Sequence, residues 1–291
     1  MTDTGASAGT RSSAGTYRLV SLLVSRVDAT EGETSVEAVR DKAVVVTGAG
    51  GGIGAALARR FAAEGARVVV NDLDEAKAKQ TAAEIGAQVV PGDASAIVPA
   101  ARDALGGAID IFCANAGVGT GGGPDAPEDD WALAWDVNVM AHVRATRELV
   151  PEWLARGSGR FISTVSAAGL LTMVGSAPYS VTKHGAYAFA EWLSATYRHR
   201  GVEVHAICPQ GVRTDMLAAT GAAGDLVLTP GAIEPDAVAD ALFTAMEEGR
   251  FLVLPHPEVA GYYTARAADP DRWLGSMNHL QQKLEQAEGR A

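Results

Sequence analysis

The sequence predicts an α/β protein, a doubly wound parallel sheet of about seven strands in a single Rossmann-type domain. Three observations predict this fold. From residue 41 onward, short strands alternate with helices. The strands are apolar on both faces, as in "AVVV" at 43–46, which is typical of a parallel sheet covered by helices on both sides. A glycine-rich turn, "TGAGGGIG" at 47–54, follows the first strand and opens the first helix.

Composition excludes several classes of partner. The chain has 291 residues with a net charge of −11, so no basic excess exists to bind nucleic acid or an anionic membrane. No run approaches the ~18 apolar residues of a membrane span. Cys113 and Cys208 each lie in an apolar run, which predicts buried, reduced thiols and a cytoplasmic protein. The six histidines show no HExxH or other paired spacing, so no metal site is expected.

Three segments are expected along the chain. Residues 1–40 are mostly small and polar, which predicts a disordered or loosely ordered extension. Its apolar stretch at 17–27 is too short and too often interrupted by Ser for a secretory signal. The Rossmann-type core is expected over 41–255 and a helical C-terminal extension over 256–291. We expect strands at 42–48, 67–72, 87–93, 108–117, 159–166, 202–209 and 250–255, and helices at 52–66, 74–86, 95–107, 127–156, 177–200 and 234–248.

The glycine turn predicts a dinucleotide site. Glycines let the backbone approach a pyrophosphate, and the helix N-terminus offers free N–H groups and a partial positive charge. Asp72 ends the second strand, where a carboxylate can accept hydrogen bonds from the adenosine ribose and repel a 2′-phosphate. No Arg or Lys lies between 68 and 76, and Gly51 carries no charge. The sequence therefore favours NAD over NADP.

Tyr179 and Lys183 are the candidate acid/base pair. They lie four positions apart on a predicted helix, so their side chains share one face. An ammonium near a phenol favours phenolate and lowers the pKa of the phenol, which suits proton transfer near neutral pH. Taken alone, this spacing also arises by chance in many helices.

Five motifs in order carry a family resemblance. They are the glycine turn, "ANAG" at 114–117, "DVNVMAHV" at 136–143, Ser166, and Tyr179 with Lys183. This series resembles the short-chain dehydrogenase/reductase family over roughly residues 42–255. The resemblance implies hydride transfer between a nicotinamide cofactor and a secondary alcohol or ketone.

The resemblance implies a role for each catalytic position. Ser166 would hydrogen-bond the substrate oxygen, and Tyr179 would exchange a proton with that oxygen. Lys183 would bind the nicotinamide ribose and lower the pKa of Tyr179. Asn138 would hold a water that links Lys183 to solvent.

It also implies a cofactor-binding set along one edge of the sheet. Asp93 would contact the adenine, Asn115 would border the cofactor, and Thr214 would meet the nicotinamide carboxamide beside backbone groups of Val212. The full set is Gly48, Gly50, Gly51, Gly52, Ile53, Gly54, Asp72, Leu73, Asp93, Ala94, Asn115, Ala116, Gly117, Tyr179, Lys183, Pro209, Gly211, Val212 and Thr214.

The sequence departs from the family pattern in three places. Ala114 replaces the first Asn of NNAG, which leaves the cofactor-side Asn115 in place. Gln210 is inserted between Pro209 and Gly211, so the backbone near the nicotinamide is expected to differ. The interval from 93 to 110 is short, which predicts a trimmed helix away from the chemistry.

Three functions remain to be compared. The leading one is NAD-dependent interconversion of a secondary alcohol and a ketone, with a small and mostly apolar substrate chosen by loops 167–178 and 215–233. The alternatives are an NADPH-dependent carbonyl reductase and a non-catalytic dinucleotide-sensing protein. By resemblance, helices 131–156 and 177–200 pair between subunits of a homo-oligomer, a tetramer or a dimer.

The C-terminal tail carries an apolar stripe. Asp269 and Pro270 predict an N-cap and first helical residue. The helix that follows predicts one apolar face, formed by Trp273, Leu274, Met277, Leu280 and Leu284. The tail is either a packing helix that adds stability or a wall of the substrate site.

Overall fold

A parallel seven-stranded sheet forms the centre of the fold. The computed structural model describes residues 39–289, so the expectation for residues 1–40 lies almost wholly outside the described residues. All strand pairs are parallel, and the order is β3-β2-β1-β4-β5-β6-β7. The strands are β1 (Ala43–Val46), β2 (Arg67–Val70), β3 (Gln88–Val89), β4 (Ile111–Ala114), β5 (Gly159–Thr164), β6 (Val202–Ile207) and β7 (Leu252–Val253).

Helices cover both faces of this sheet. The helices up to β6 are α1 (Gly52–Ala63), α2 (Glu75–Ile85), α3 (Val98–Leu105), α4 (Glu128–Trp135), α5 (Ala141–Arg156), α6 (Ala168–Leu171) and α7 (Ala177–Tyr197). The later helices are α8 (Asp215–Ala218), α9 (Gly221–Val227), α10 (Pro235–Glu247), α11 (Glu258–Ala268) and α12 (Pro270–Ala287). Within residues 39–289, no helix combines the length and the apolar character needed to cross a bilayer.

The core lies in two layers, one on each face of the sheet. Ala43 and Val45 of β1 enter one apolar cluster, and Val44 and Val46 enter the other. This alternation follows from the two-residue period of a strand. All four side chains are fully buried, which explains why β1 is apolar at every position. The doubly wound α/β architecture expected from the sequence is thus confirmed.

The strand order places a crevice at the edge where function is expected. Strand order reverses between β1 and β4, which are neighbours although β2 and β3 lie between them in the chain. At such a switch point, the loops that follow the strands turn away on opposite faces and leave a ligand-binding crevice. The glycine turn after β1 and the "ANAG" segment after β4 flank it.

The long helix expected over 127–156 is not continuous. Helix α4 passes into a π-helical segment, Asp136–Met140, before α5 begins. The Ala141 N–H donates to the Asp136 carbonyl, five residues back instead of four. Periodicity alone gives no signal for this extra residue. Two short helices, α8 and α9, also lie in the segment expected only to be a loop.

The tail forms two helices, α11 and α12. Asp269 accepts a hydrogen bond from the Arg272 N–H at 3.0 Å and Pro270 is the first helical residue, so the predicted cap is confirmed. Leu284 is fully buried, but Leu274 is mostly exposed. The apolar stripe was therefore predicted too broadly, because Leu274 lies at its edge and faces away from the body.

Candidate active site

The glycine turn is shaped by contacts that exclude side chains. A Cβ on Gly54 would lie 2.1 Å from the Gly48 carbonyl oxygen, and one on Gly48 would lie 2.8 Å from the Ala116 Cα. Gly48 and Gly52 have φ angles of 60° and 53°, a region that glycine adopts without the strain that other residues incur. These glycines let the turn pass tightly between β1 and α1.

The turn leaves an open cradle at the start of α1. Gly51 is the N-cap of α1, makes no side-chain capping bond, and has no atom within 4 Å of where a Cβ would lie. No acidic residue occupies the first turn of α1. Unpaired N–H groups, a positive helix end and free space are the features that a pyrophosphate requires. The residues present therefore fit a dinucleotide. Ile53, just inside the helix, packs against the core below.

Thr47 links this turn to the segment after β4. Its hydroxyl donates to the Cys113 carbonyl and accepts from the N–H groups of Asn115 and Ala116, both at 3.0 Å. The Asn115 amide donates to the carbonyls of Thr47 and Gly48 at 3.0 and 3.1 Å. The two segments that border the crevice are thus held together by these hydrogen bonds. Thr47 was not among the predicted site residues, although its position at the head of the glycine turn could have signalled it.

Asp72 lies beside the cradle. One carboxylate oxygen accepts from the Gly50 N–H at 2.9 Å, and the other accepts from the Asp74 N–H at 3.0 Å. The carboxylate is partly exposed next to the turn, where an acceptor for a ribose hydroxyl is expected. Leu73 is exposed beside it.

The segment after β3 borders the same edge of the sheet. Asp93 is exposed, and its carboxylate accepts from the Ser95 N–H at 2.8 Å. Ala94 is partly buried next to it. The side chains of both residues lie after the carboxyl end of a strand, as expected for residues near the cofactor.

Ser166, Tyr179 and Lys183 converge beyond the ends of β5 and β6. Ser166 follows β5, and its side chain lies close enough to the Tyr179 hydroxyl to lower the pKa of that phenol. The Lys183 ammonium is buried, donates to the Thr164 carbonyl at 3.0 Å, and lies 5.6 Å from the centre of the Tyr179 ring. The register between the end of β5 and the first turns of α7 therefore brings the three predicted catalytic groups together.

The pKa of Tyr179 differs from the expectation. Although Tyr179 keeps some exposed surface, burial is the largest effect and raises its pKa, and the neighbouring Ser166 side chain lowers it only in part. The direction is opposite to the expected one, and Lys183 is not among the causes of the shift. Burial also lowers the pKa of Lys183, to about 8.

Asn138 lies in the π-helical segment and is fully buried. Its side-chain oxygen accepts from the Val118 N–H at 2.9 Å, and its amide donates to the Val118 carbonyl and the Thr182 hydroxyl. A Cβ on Gly117 would lie 3.1 Å from the Asn138 oxygen and 3.3 Å from the Lys183 ammonium. Gly117 thus lies next to both the Asn138 oxygen and the Lys183 ammonium. The hydrogen bonds of Asn138 with Val118 fix the segment that contains Gly117.

The segment after β6 closes the site from the other side. The Pro209 carbonyl accepts from the Ala167 N–H at 2.7 Å, and a Cβ on Gly211 would lie 2.2 Å from the Leu228 carbonyl. Thr214 caps α8, and its methyl group would meet a Cβ on Gly52 at 2.9 Å. Val212 is buried, and its carbonyl accepts from the Thr214 hydroxyl.

The extra residue in this segment, Gln210, turns toward the tail. Its backbone N–H donates to the buried His256 ring at 3.2 Å, and its side chain donates to Glu258 at 2.8 Å. The insertion is therefore accommodated by contacts at the start of α11.

A cavity of about 1040 Å³ lies beside α7, on the helix face next to that of Tyr179 and Lys183. Ser180 and His184 border it, as do the loops at 121–125 and 172–177. Gln281 of α12 lies on its wall, so the tail helix reaches this cavity.

His184 and Arg266 tie the tail to the catalytic helix. The His184 Nδ1 lies 2.9 Å from the Ser180 carbonyl, which requires a proton on Nδ1. Its Nε2 therefore accepts from the Arg266 guanidinium, 3.2 Å away, and Arg266 also donates to the Leu170 carbonyl. No local pattern in the sequence indicates this contact, because the partner of His184 lies 82 residues away.

No group of three potential metal ligands comes together among residues 39–289.

Comparison with known proteins identifies the family. The model of the short chain dehydrogenase family matches residues 42–224. The 1-deoxy-11-beta-hydroxypentalenate dehydrogenase of Streptomyces exfoliatus is 36% identical over 238 residues, which cover 76% of this chain and 85% of the relative. The 2,5-dichloro-2,5-cyclohexadiene-1,4-diol dehydrogenase LinX of Sphingobium indicum is 32% identical over 190 residues, which cover 61% of this chain and 75% of that one.

A solved structure gives the same result. The structure of a short chain dehydrogenase/reductase from Burkholderia phymatum in complex with NAD has a TM-score of 0.72 and 29% identity, and the match covers 80% of this chain and 95% of that one. The cradle and the Ser166–Tyr179–Lys183 group agree with these matches. The chain therefore belongs to the short-chain dehydrogenase family and is an oxidoreductase that uses a nicotinamide dinucleotide.

Proposed function

We propose that the protein is an NAD-preferring dehydrogenase that interconverts a secondary alcohol and a ketone. The observation that carries the proposal is the convergence of Tyr179, Ser166 and Lys183 beside an open cradle at the start of α1. In that arrangement, a carbinol oxygen near Ser166 and Tyr179 has both a hydrogen-bonding partner and a proton acceptor within reach.

Each catalytic side chain takes one task. Ser166 hydrogen-bonds the substrate oxygen and keeps it against the Tyr179 hydroxyl. Tyr179, as phenolate, takes the proton from the alcohol as the carbon–oxygen double bond forms. The bound dinucleotide supplies the hydride acceptor and, when oxidised, a positive charge. Such a charge offsets the effect of burial, which in the chain alone raises the pKa of Tyr179.

Lys183 and Asn138 support this proton transfer. The Lys183 ammonium is fixed by the Thr164 carbonyl, and we assign it the nicotinamide ribose as a second partner. Asn138 anchors the Val118 backbone and keeps Gly117 open next to Lys183. We also assign Asn138 a water that connects Lys183 to solvent.

The preference for NAD rests on Asp72. Its carboxylate is fixed by the Gly50 and Asp74 N–H groups, so it stays in place to accept a ribose hydroxyl. A 2′-phosphate at that position would meet a fixed negative charge. The alternative, an NADPH-dependent carbonyl reductase, requires this repulsion to be overcome.

The substrate is proposed to be a small, mostly apolar alcohol. The names of the relatives support a hydroxyl-bearing substrate, since one is a hydroxypentalenate dehydrogenase and the other acts on a diol of a six-membered ring. The cavity beside α7 offers room for a ring-sized group.

We also propose a homo-oligomer, a tetramer or a dimer, in the cytoplasm. Leu133 and Trp135 of α4 and Val181 and Trp192 of α7 are large apolar side chains with about half of their surface exposed. Trp135 lies against Gly185 of α7, so α4 and α7 present a shared apolar surface. Two buried free cysteines, Cys113 and Cys208, suit a reducing compartment. Light scattering at micromolar concentration tests the assembly, and a uniform monomer would contradict it.

The function itself is tested by a substrate panel. Purified protein is mixed with secondary alcohols and NAD⁺ or NADP⁺, and with ketones and each reduced cofactor, while absorbance of the reduced nicotinamide is followed. We expect turnover of at least one cyclic secondary alcohol with NAD⁺. A preference for NADP(H) would contradict the cofactor proposal, and activity restricted to primary alcohols would contradict the substrate class.

A further inference from the structure

An ion pair lies next to the glycine turn. Lys77, in the first turn of α2, places its ammonium 3.0 Å from the Asp215 carboxylate, although the two residues are 138 positions apart in the chain. The Lys77 Cβ lies only 2.8 Å from where a Cβ on Gly50 would be. The stem of Lys77 therefore runs along the glycine turn before it reaches Asp215.

The second partner approaches from the opposite side of the turn. Asp215 follows Thr214, and the Thr214 methyl group lies 2.9 Å from where a Cβ on Gly52 would be. Gly50 and Gly52 are two residues apart, so their Cα atoms are separated by at most ~7 Å. The pair thus connects α2 to the segment after β6 across the turn that forms the cradle.

The pair is exposed and can open. The exposed fraction of the side chain is 54% for Lys77 and 95% for Asp215. An ion pair in such surroundings is weakly held, because water screens the attraction and both side chains lose freedom when they pair. A dianionic ligand can therefore compete with Asp215 for the ammonium.

Lys77 is placed to meet one part of the cofactor in particular. The Asp72 carboxylate, which we assign to the adenosine ribose, bonds the Gly50 N–H at 2.9 Å, and the Lys77 stem lies on the same glycine. A phosphate on the 2′ position of that ribose would lie near both side chains. The four-carbon stem of Lys lets the ammonium swing from Asp215 toward such a phosphate.

We propose that Lys77 and Asp215 form a second determinant of cofactor choice. The Lys77 ammonium can bind a 2′-phosphate, and the Asp215 carboxylate competes with that phosphate for the ammonium. This inference rests on the proposed placement of the ribose at Asp72. NAD lacks the 2′-phosphate and gains nothing from release of Lys77. NADP must displace Asp215 from Lys77 and must also lie near the negative charge of Asp72. Both effects weaken NADP binding.

The inference predicts opposite effects for the two residues. Asp215→Asn removes the competing charge and frees Lys77, so we expect NADP⁺ to bind about threefold to tenfold more tightly. Lys77→Gln removes the cation, so we expect NADP⁺ to bind more weakly by a similar factor. The double variant should lose the gain seen in Asp215→Asn, because that gain acts through Lys77. In all three variants, NAD⁺ affinity should change less than NADP⁺ affinity.

The helix offers a matched control. Lys79 lies two residues after Lys77 in α2, is exposed to a similar degree, and pairs with Glu75 of its own helix at 2.6 Å. Lys79→Gln removes the same charge from α2 without touching the glycine turn. It should leave the ratio of NADP⁺ to NAD⁺ affinity unchanged if Lys77 acts through its position.

The experiment is calorimetric titration of the full chain with NAD⁺ and NADP⁺ at two salt concentrations. A gain in NADP⁺ affinity that appears in Asp215→Asn, is absent from the double variant and shrinks in high salt supports the inference. An unchanged NADP⁺ affinity in Asp215→Asn, or an equal gain in the double variant, overturns it. The readout is binding and needs no turnover, so failure of the proposed alcohol substrate would leave this test intact.

Discussion

The Lys183 ammonium nitrogen lies 5.6 Å from the centre of the Tyr179 ring and is held in place by the Thr164 carbonyl at 3.0 Å. The spacing of this pair is therefore set by β5 as well as by the helix that carries both residues. Because the ammonium is buried against a carbonyl, Lys183 can stay aligned while the phenol changes its charge.

Tyr179→Phe should remove nearly all turnover while the dinucleotide still binds. The phenol carries the proton, and the ring keeps its packing in the variant. General acid/base groups typically contribute about a hundredfold or more, so we expect at least that loss in kcat. Steady-state rates together with cofactor titration separate chemistry from binding. A variant that kept more than about a tenth of wild-type kcat would show that another group moves the proton.

Lys183→Ala should weaken both cofactor binding and turnover. The variant loses the proposed ribose contact and the charge nearest to Tyr179 among the residues of the site. We expect a higher Kd for NAD⁺ and a lower kcat. Lys79→Ala, at an exposed position of α2, is the control for the loss of one positive charge. If Lys183→Ala bound NAD⁺ as tightly as wild type, the ribose role would be wrong.

Asp72→Asn should narrow the preference for NAD over NADP. The amide oxygen can still accept from the Gly50 N–H, so that contact with the turn is kept, whereas the negative charge and the acceptor for the Asp74 N–H are removed. Asp72→Ala loses that bond too and should also reduce the affinity for NAD⁺. The measurement is kcat/KM with each cofactor. A wild-type enzyme that already prefers NADP, or an unchanged ratio in Asp72→Asn, would contradict the role given to this carboxylate.

Acid should destabilise the fold through two buried histidines. Burial, with a smaller effect from Lys183, lowers the pKa of His142 to about 3, and burial, with a smaller effect from Arg160, lowers that of His205 to about 4. Both values lie below the unfolded value of 6.5. Between the folded and unfolded pKa values, the unfolded chain therefore binds more protons than the folded chain. The stability these groups contribute is complete above pH 6.5 and is lost as pH falls toward the folded values.

His205→Gln tests this acid effect. Each unit of pKa shift corresponds to about 1.4 kcal/mol. In His205→Gln, the unfolding free energy should therefore fall less between about pH 6.5 and pH 4 than in wild type, by up to roughly 3 kcal/mol. Urea unfolding across that range measures it. Exposed His279→Gln is the control. A parallel fall in wild type and His205→Gln would mean that other groups cause the acid sensitivity.

Gln281→Trp should discriminate against bulky substrates. Gln281 borders the cavity beside α7, whereas Gln282, the next residue of α12, is exposed and does not line it. Filling the wall at 281 should raise KM for large cyclic alcohols more than for small ones and leave NAD⁺ affinity nearly unchanged. Gln282→Trp should have neither effect. An equal change in KM for all substrates, with a lower melting temperature, would leave the tail only a stabilising role.

The sequence predicted the fold because its signals are local and repeated. Each strand is apolar on both faces, and the turn between β1 and α1 carries its own glycines, so the doubly wound sheet follows without knowledge of distant contacts. The grouping of Ser166 with Tyr179 was predicted through a family resemblance, and the structure brings the two side chains together.

What the sequence could not predict depends on residues far apart in the chain. The contact of Lys77 with Asp215 spans 138 residues and that of His184 with Arg266 spans 82, and neither pair has a local pattern. The pKa of Tyr179 was predicted in the wrong direction because burial is a property of the packed fold. Lys77 lies one residue beyond the interval 68–76, which contains no Arg or Lys, so this cation was missed.

The π-helical segment Asp136–Met140 means that α4 and α5 are out of phase by one residue, or about 100° of rotation. Deleting one residue there would restore a regular helix, but everything before it would turn by that angle relative to everything after it. The helix could then no longer expose Leu133 and Trp135 and at the same time direct Asn138 inward. The extra residue thus sets two alignments at once: that of the exposed Leu133 and Trp135, which we propose for subunit contact, and that of Asn138 with the catalytic helix. Any redesign or sequence alignment of this segment has to keep that residue count.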